Sequence, residues 1–180
     1  SELANRMSDL LIVAHDRELA ASSMIQRRLL IEPHVLVASS DYLGETRPID
    51  TPGDLASHQL LGLGEASAKP QWEVVHERTG EHALVPLTPQ IATSDIFALT
   101  AAARAGAGVA VLPVSVCGED IRAERLTHLL PEWTAGATTI SALLPSRQGV
   151  LPTVRALLNH CVEHFPAAVP WPTYPGKNHR

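Results

Sequence analysis

Aromatic residues and cysteines are scarce in this sequence. Only 4% of the 180 residues are aromatic, and the two cysteines, Cys117 and Cys161, stand far apart without CxxC spacing. Such usage is typical of buried thiols in a reducing compartment. Basic clusters are missing too, because the net charge is −5 and the 14 Lys and Arg residues are scattered. Since a phosphate backbone is bound by clustered positive charge, we expect that this chain does not itself contact DNA.

Membrane and export signals are also absent. No apolar run approaches the roughly 18 residues of a membrane-spanning helix. The N-terminal residues show no basic segment followed by an apolar stretch and a cleavage site. We therefore expect a cytoplasmic protein that does not enter a membrane. What is present, 45% hydrophobic and 18% charged residues, is typical of a globular domain with a core.

Short apolar runs alternate with helical patterns along the chain. Continuous apolar runs predict buried strands over residues 10–13, 35–38, 59–63, 109–112 and 140–144. A mixed polar and apolar run predicts an edge or crossover strand over residues 24–30, and residues 72–77 and 82–87 are predicted to form a hairpin. Capped amphipathic patterns predict helices over residues 52–58, 95–105 and 152–163. This alternation predicts an α/β fold with a mostly parallel sheet. The prolines from Pro166 onward predict an extended tail.

Three segments resemble the effector-binding region of LysR-type transcriptional regulators. They are SSMIQRRLLIEPHVLVASSDYL at Ser22–Leu43, TPGDLASHQLLGL at Thr51–Leu63, and ATSDIFALTAAARAGAGVAVLP at Ala92–Pro113. Each motif is weak alone, whereas their order and spacing are specific to the family. The resemblance extends over nearly all of Asp9–Phe165.

The resemblance implies a periplasmic-binding-protein-like α/β fold, with two Rossmann-like lobes and a central cleft that holds a small molecule. Lobe one would comprise residues 1–38 and 139–166, lobe two residues 39–138, and residues 167–180 a proline-rich tail. It also implies that the first strand and helix of lobe one, and the family's N-terminal DNA-binding domain, are missing from this sequence. The full-length protein would be a homodimer or homotetramer and would contact DNA only through that missing domain.

The function implied is ligand sensing without covalent chemistry, so we expect no enzyme and no cofactor. The effector would be a carboxylate or an aromatic metabolite, and lobe closure would be transmitted to the DNA-binding domain. A periplasmic-type solute-binding protein has a similar fold and remains an alternative.

The helix start at Ser94 and Asp95 is a candidate effector contact. Free backbone N–H groups and the positive end of the helix dipole make such a start attractive to a carboxylate. The alternative is an ordinary N-cap, which is the common role of Ser and Asp at this position.

The loop GEASAK follows a predicted strand, and ligands of α/β sheets bind beyond the carboxyl ends of strands. Gly64, Glu65 and Ser67 are therefore candidate effector contacts, although small residues also turn solvent loops.

Two further positions follow predicted strands. Ser39 and Ser40 stand at the implied crossing between lobes, where a hydroxyl can reach a ligand, or where they simply end a strand. His15 follows DLLIVA, where an imidazole can bind an effector or respond to pH, or can pair with Asp16.

The segment HCVEH, His160–His164, matches a zinc-peptidase pattern in which histidines at i and i+4 share a helix face and Glu163 acts as base. Such a site needs a third protein ligand, and the residues after His164 contain no Asp or Glu. We interpret the segment as the polar face of the last helix, with a zinc hydrolase as a remote alternative and no metal expected. No GxSxG elbow or P-loop is present, and the glycines of GAG at 106–108 lead into a strand rather than a helix.

Overall fold

A computed structural model of the chain describes residues 9–16, 24–64, 71–144 and 151–168. These residues fall into two compact units. Unit 1 contains the described residues up to Glu32 and those from Ala137 onward, and unit 2 runs from Pro33 to Gly136. The predicted lobe boundaries, after residues 38 and 138, lie slightly further along the chain than these two crossings. The candidate residues Glu65 and Ser67 and the tail from residue 169 lie outside the described residues.

Ten strands and four α-helices are described, together with one 3₁₀ helix. The strands are β1 (Leu11–His15), β2 (Ile25–Ala38), β3 (Leu61–Leu63), β4 (Gln71–His76), β5 (His82–Pro86), β6 (Ile91–Thr93), β7 (Ala110–Pro113), β8 (Thr127–Leu129), β9 (Trp133–Thr134) and β10 (Ala137–Leu144). The helices are α1 (Ser40–Glu45), the 3₁₀ helix (Pro52–Ser57), α2 (Ile96–Arg104), α3 (Val114–Arg122) and α4 (Pro152–Ala168).

Unit 1 is a small sheet with one helix. Strand β10 lies between β1 and β2, and its pairing with β1 is antiparallel, from Leu11 opposite Leu143 to His15 opposite Thr139. Apolar residues of α4 recur at helical spacing, which predicts one buried face. The core of the unit consists of Leu29, Ala142, Leu144, Leu158 and Cys161.

Unit 2 has a larger core around the second half of β2. This half pairs antiparallel with β7 and with β8. The buried residues of this core are Leu36, Ala38, Tyr42, Leu55, Leu60, Val74, Val85, Val109, Leu129 and Leu130. Strand β4 lies between β5 and β9 in a separate antiparallel sheet, while β3 and β6 form a parallel pair.

A close backbone approach joins β3 to the segment before β7. Leu60 forms a parallel bridge with Val109, and the Val109 N–H donates to the Gln59 carbonyl at 2.8 Å. A Cβ on Gly108 would lie 2.4 Å from that same carbonyl oxygen, and Gly108 has a φ of +148°. Only glycine fits this position without displacing the backbone.

The predicted hairpin and the three predicted helices are confirmed, with the first helix of 3₁₀ type. Three expectations about the strands and the tail are wrong. The two strands predicted over residues 24–30 and 35–38 are one 14-residue strand, β2, which begins at Ile25 and continues through Pro33. The ladders are mostly antiparallel, whereas a mostly parallel sheet was expected. An apolar run predicts that a strand is buried on both faces but does not predict its direction, and Val35–Ala38 are fully buried between antiparallel partners. Helix α4 continues past Pro166 to Ala168, although proline lacks the N–H donor of a helical residue.

Candidate functional site

Helix α2 organises the candidate residues of unit 2. It has nine residues, which at 1.5 Å per residue make it about 13 Å long. Gly64, Ser94 and Asp95 lie at its N-terminal end, whereas Ser39 and Ser40 lie at its C-terminal end. These two groups of predicted contacts are therefore separated by the length of the helix.

The parallel pair β3 and β6 places Gly64 beside Ser94. Leu63 is the register partner of Thr93, and Gly64 and Ser94 are the next residues of the two strands. The Gly64 N–H donates to the Thr93 carbonyl at 2.8 Å, and Gly64 adopts a φ of +94° that favours glycine. We call this place, consisting of Gly64, Thr93, Ser94 and Asp95, the carboxyl edge.

Asp95, not Ser94, is the N-cap of α2. Asp95 Oδ1 accepts the N–H groups of Phe97 at 2.8 Å and Ala98 at 3.4 Å, while the Asp95 N–H donates to Thr93 Oγ1 at 3.1 Å. The helix thus begins one residue later than predicted. Consequently, the backbone donors that we expected to bind an effector carboxylate already bind a carboxylate of the chain itself.

Exposed apolar surface lies on the three elements that meet at the carboxyl edge. Phe97, in the first turn of α2, is 73% exposed, and Leu63 and Ile91 on β3 and β6 are 48% and 43% exposed. Isolated apolar residues are common on protein surfaces, whereas apolar side chains together with a few polar groups are the usual lining of a ligand site.

The C-terminal end of α2 closes with a Schellman motif. The Gly106 N–H donates to the Ala103 carbonyl at 3.1 Å, and the Ala107 N–H donates to the Ala102 carbonyl at 3.0 Å. Gly106 has a φ of +79°, the left-handed conformation that this motif requires. The carbonyls of Ala102 and Ala103 are therefore satisfied by the chain.

An open cavity of about 520 Å³ lies beside this end, and we call it the arginine cavity. It is lined by Ser39, Ser40, Asp41, Ala101, Arg104, Ala105 and Arg125. Ser39 is buried and caps α1, because its Oγ accepts the Tyr42 N–H at 3.3 Å. This local role holds the strand end and the helix start together at the cavity wall.

A buried carboxylate holds the two arginines of the cavity. Arg104, in the last turn of α2, places Nε 3.6 Å from Asp120 Oδ1, and Arg125 donates a hydrogen bond from Nε to the same oxygen. The Asp120 side chain is 8% exposed, whereas the two arginine side chains are about half exposed. A basic residue in the last turn of α2 was visible in the sequence, but its pairing with Asp120 depends on the packing of α2 against α3.

His15 lies in unit 1, within a small polar group. Its Nε2 is 3.0 Å from Ser141 Oγ, and Gln26 Nε2 donates to the same hydroxyl at 3.0 Å. Ser141 is fully buried in the middle of β10, so this group links β10 to the end of β1 and the start of β2. His15 remains a predicted effector contact.

The HCVEH segment lies on α4. The rings of His160 and His164 stack with centroids 4.0 Å apart, and His164 Nδ1 lies 2.9 Å from the His160 carbonyl oxygen. Within the described part of the chain, no group of three His, Cys, Asp or Glu side chains is arranged to hold a metal ion. The zinc-hydrolase alternative therefore gains no support from the geometry of this segment.

Comparison with known proteins gives the family. A model described as the LysR substrate binding domain matches residues 1–166. This chain belongs to that family. Its two-lobed, periplasmic-binding-protein-like α/β fold is thereby confirmed, as is the predicted regulatory domain.

Curated and solved relatives of this LysR domain are regulators. The HTH-type transcriptional regulator PtxR of Pseudomonas aeruginosa is 33% identical over 131 residues, which are 73% of this chain and 41% of PtxR. The regulatory domain of CrgA from Neisseria meningitidis, described as a LysR-type transcriptional regulator, is 26% identical with a TM-score of 0.70, covering 84% of this chain and 74% of that one. The regulatory domain of AphB from Vibrio vulnificus has a TM-score of 0.72 at 21% identity, over 87% and 75% of the two chains, and shows the fold alone.

The chain thus spans less than half the length of PtxR. The names of these relatives agree with regulation rather than with solute transport or zinc hydrolysis. Among the described residues, the helices are too short or too polar to cross a membrane.

Proposed function

We propose that this LysR domain senses a small-molecule effector at the carboxyl edge and controls transcription without covalent chemistry. Membership of the family carries the proposal, and the names of the relatives support it. DNA contact through a separate domain, a homodimeric or homotetrameric full-length protein and a cytoplasmic location are parts of the same proposal.

The chemistry of the carboxyl edge favours an effector with an aromatic or otherwise apolar body. Phe97 and Leu63 offer exposed apolar surface, and the Ser94 hydroxyl offers a polar contact beside them. Asp95 places a carboxylate on the amides of α2, so a second carboxylate at that point would meet like charge. Glu65 and Ser67, which follow Gly64 along the chain, are proposed as additional contacts.

An effector of this kind acts through population shift. It changes the equilibrium between two conformations of the domain only to the extent that it binds one of them better. His15 in unit 1 is proposed to contribute to this difference. Ser39 and Ser40 lie at the far end of α2, so we do not propose that they contact the effector bound at the carboxyl edge.

The test is ligand-induced thermal stabilisation of the purified 180-residue chain. Benzamide, benzoate, 4-hydroxybenzoate and succinate represent neutral aromatic, anionic aromatic and aliphatic ligands. We expect the aromatic compounds to raise Tm and Ser94→Ala and Ser67→Ala to reduce that increase. Ser57→Ala, at an exposed position of the 3₁₀ helix, is the matched control and should retain it. Equal Tm increases in the wild type, Ser94→Ala and Ser67→Ala would exclude the carboxyl edge as the effector site.

A further inference from the structure

The arginine cavity contains two guanidinium groups fixed by one buried carboxylate. Arg104 and Arg125 both approach Asp120 Oδ1 through Nε. Within the described part of the chain, no hydrogen bond from their terminal Nη groups is present. These Nη groups give each arginine a pair of N–H donors in the fork geometry that matches a carboxylate or phosphate.

The burial of Asp120 makes this arrangement preorganised. Its backbone carbonyl also accepts the N–H groups of Arg125 at 2.8 Å and Leu126 at 3.1 Å, which fixes the turn after α3. An arginine held in this way loses less side-chain freedom when it binds a ligand than a free one does. The two side chains are 49% and 45% exposed, so a small molecule can reach them.

The charges at the cavity favour a ligand whose negatively charged group lies at the arginines and whose remaining part is not anionic. Asp120, which does not line the cavity, balances one of the two guanidinium charges, and the carboxylate of the lining, Asp41, is exposed at the start of α1. The carbonyls of Ala102 and Ala103 at the end of α2 are bonded within the Schellman motif, so they do not compete for the guanidinium groups. Ser40 supplies a hydroxyl beside the arginines.

We infer that the arginine cavity is a second ligand site, which binds the carboxylate or phosphate group of a small molecule through Arg104 and Arg125. Its volume of about 520 Å³ lies within the usual range for small-molecule sites. The site is separate from the carboxyl edge, and its occupation does not require that the proposed effector site be correct.

The experiment is calorimetric titration of the 180-residue chain with inorganic phosphate and, separately, with succinate, both at constant ionic strength in NaCl. We expect saturable binding of at least one of them, and the arm that binds identifies the preferred oxyanion. Arg125→Gln should weaken that binding by about tenfold or more, because two charge-assisted donors are lost. Asp41→Asn should strengthen it severalfold, because a like charge is removed from the lining.

Arg122→Gln is the matched control, since Arg122 is exposed on α3 and pairs with Glu119 at 2.9 Å rather than with the cavity. It should bind as the wild type does. Arg104→Gln retains the hydrogen bond from Arg125 to Asp120, so it replaces Arg125→Gln if that variant does not fold. No saturable binding of either ligand, or equal binding by the Arg122→Gln and arginine-cavity variants, would overturn the inference.

Discussion

The two ends of α2 carry opposite chemistry. At the N-terminal end, the Asp95 carboxylate accepts the free N–H groups, and exposed Phe97 lies beside it. At the C-terminal end, Arg104 joins Arg125 beside a Schellman motif that satisfies the carbonyls of Ala102 and Ala103. Both arrangements complement the helix dipole. At the N-terminal end, where the helix dipole attracts anions, the chain's own Asp95 carboxylate already binds the backbone donors. The donors that we propose for an external oxyanion are the two arginine side chains at the opposite end.

The largest effect should come from removing the charge that holds the arginines. Asp120→Asn leaves two guanidinium groups without their buried anion, and we expect a loss of about 1–3 kcal/mol in the free energy of unfolding. Urea denaturation measures it. Glu119→Gln, which removes an exposed ion pair with Arg122, should change stability by less than about 1 kcal/mol. Equal losses in both variants would show that Asp120 has no special role at the cavity.

The second largest loss of stability is expected at the C-terminal end of α2. Gly106→Ala forces a side chain into the left-handed region and should cost about 1–2 kcal/mol of unfolding free energy in the same assay. Gly44→Ala is the control, because a Cβ at Gly44 meets no atom within 4 Å and alanine favours a helix. If Gly106→Ala were as stable as Gly44→Ala, the Schellman motif would not be needed at this end.

At the other end, Asp95→Ala should cost about 1 kcal/mol, because two amides lose their cap. Asp95→Asn keeps a capping side chain and removes the charge, so thermal melts should show little loss of stability. We also expect Asp95→Asn to increase the Tm shift given by benzoate more than that given by benzamide, since like charge at the carboxyl edge is removed. A uniform change for both compounds would argue against an electrostatic role of Asp95.

The smallest stability effect is expected at Phe97. Because this side chain is 73% exposed, Phe97→Ala should change the unfolding free energy by about 0.5 kcal/mol or less. It should nevertheless reduce the Tm increase given by aromatic compounds, in contrast to Leu84→Ala at an exposed position of β5. If aromatic ligands stabilise Phe97→Ala and the wild type equally, the apolar surface does not belong to the effector site.

Local sequence signals were enough to predict α2 and the β4–β5 hairpin. Gly106 ends an amphipathic run, and Thr79 and Gly80 form a turn between alternating segments. The same signals did not distinguish Ser94 from Asp95 as the N-cap, since both residue types accept backbone N–H groups. The helix begins one residue later than predicted, and this shift is seen only in the structure of the backbone.

Long-range features were beyond these signals. The carboxyl edge was predictable in part, because Gly64 and Ser94 each follow a strand, but their pairing requires the parallel register of β3 and β6. The arginine cavity was not predicted, because Arg104, Asp120 and Arg125 are brought together by tertiary packing rather than by a motif. Ser39 and Ser40 line this cavity, and their assignment to the effector cleft stays a prediction.

The most direct test of the difference between the two ends is a ¹H–¹⁵N NMR titration of the labelled 180-residue chain with inorganic phosphate. We expect the amide resonances of Ser40, Ala105 and Arg125 to move and saturate, while those of Phe97 and Ala98 remain unchanged. Saturable shifts of Phe97 and Ala98 without shifts at Ser40, Ala105 and Arg125 would show that the oxyanion binds at the N-terminal end of α2 instead.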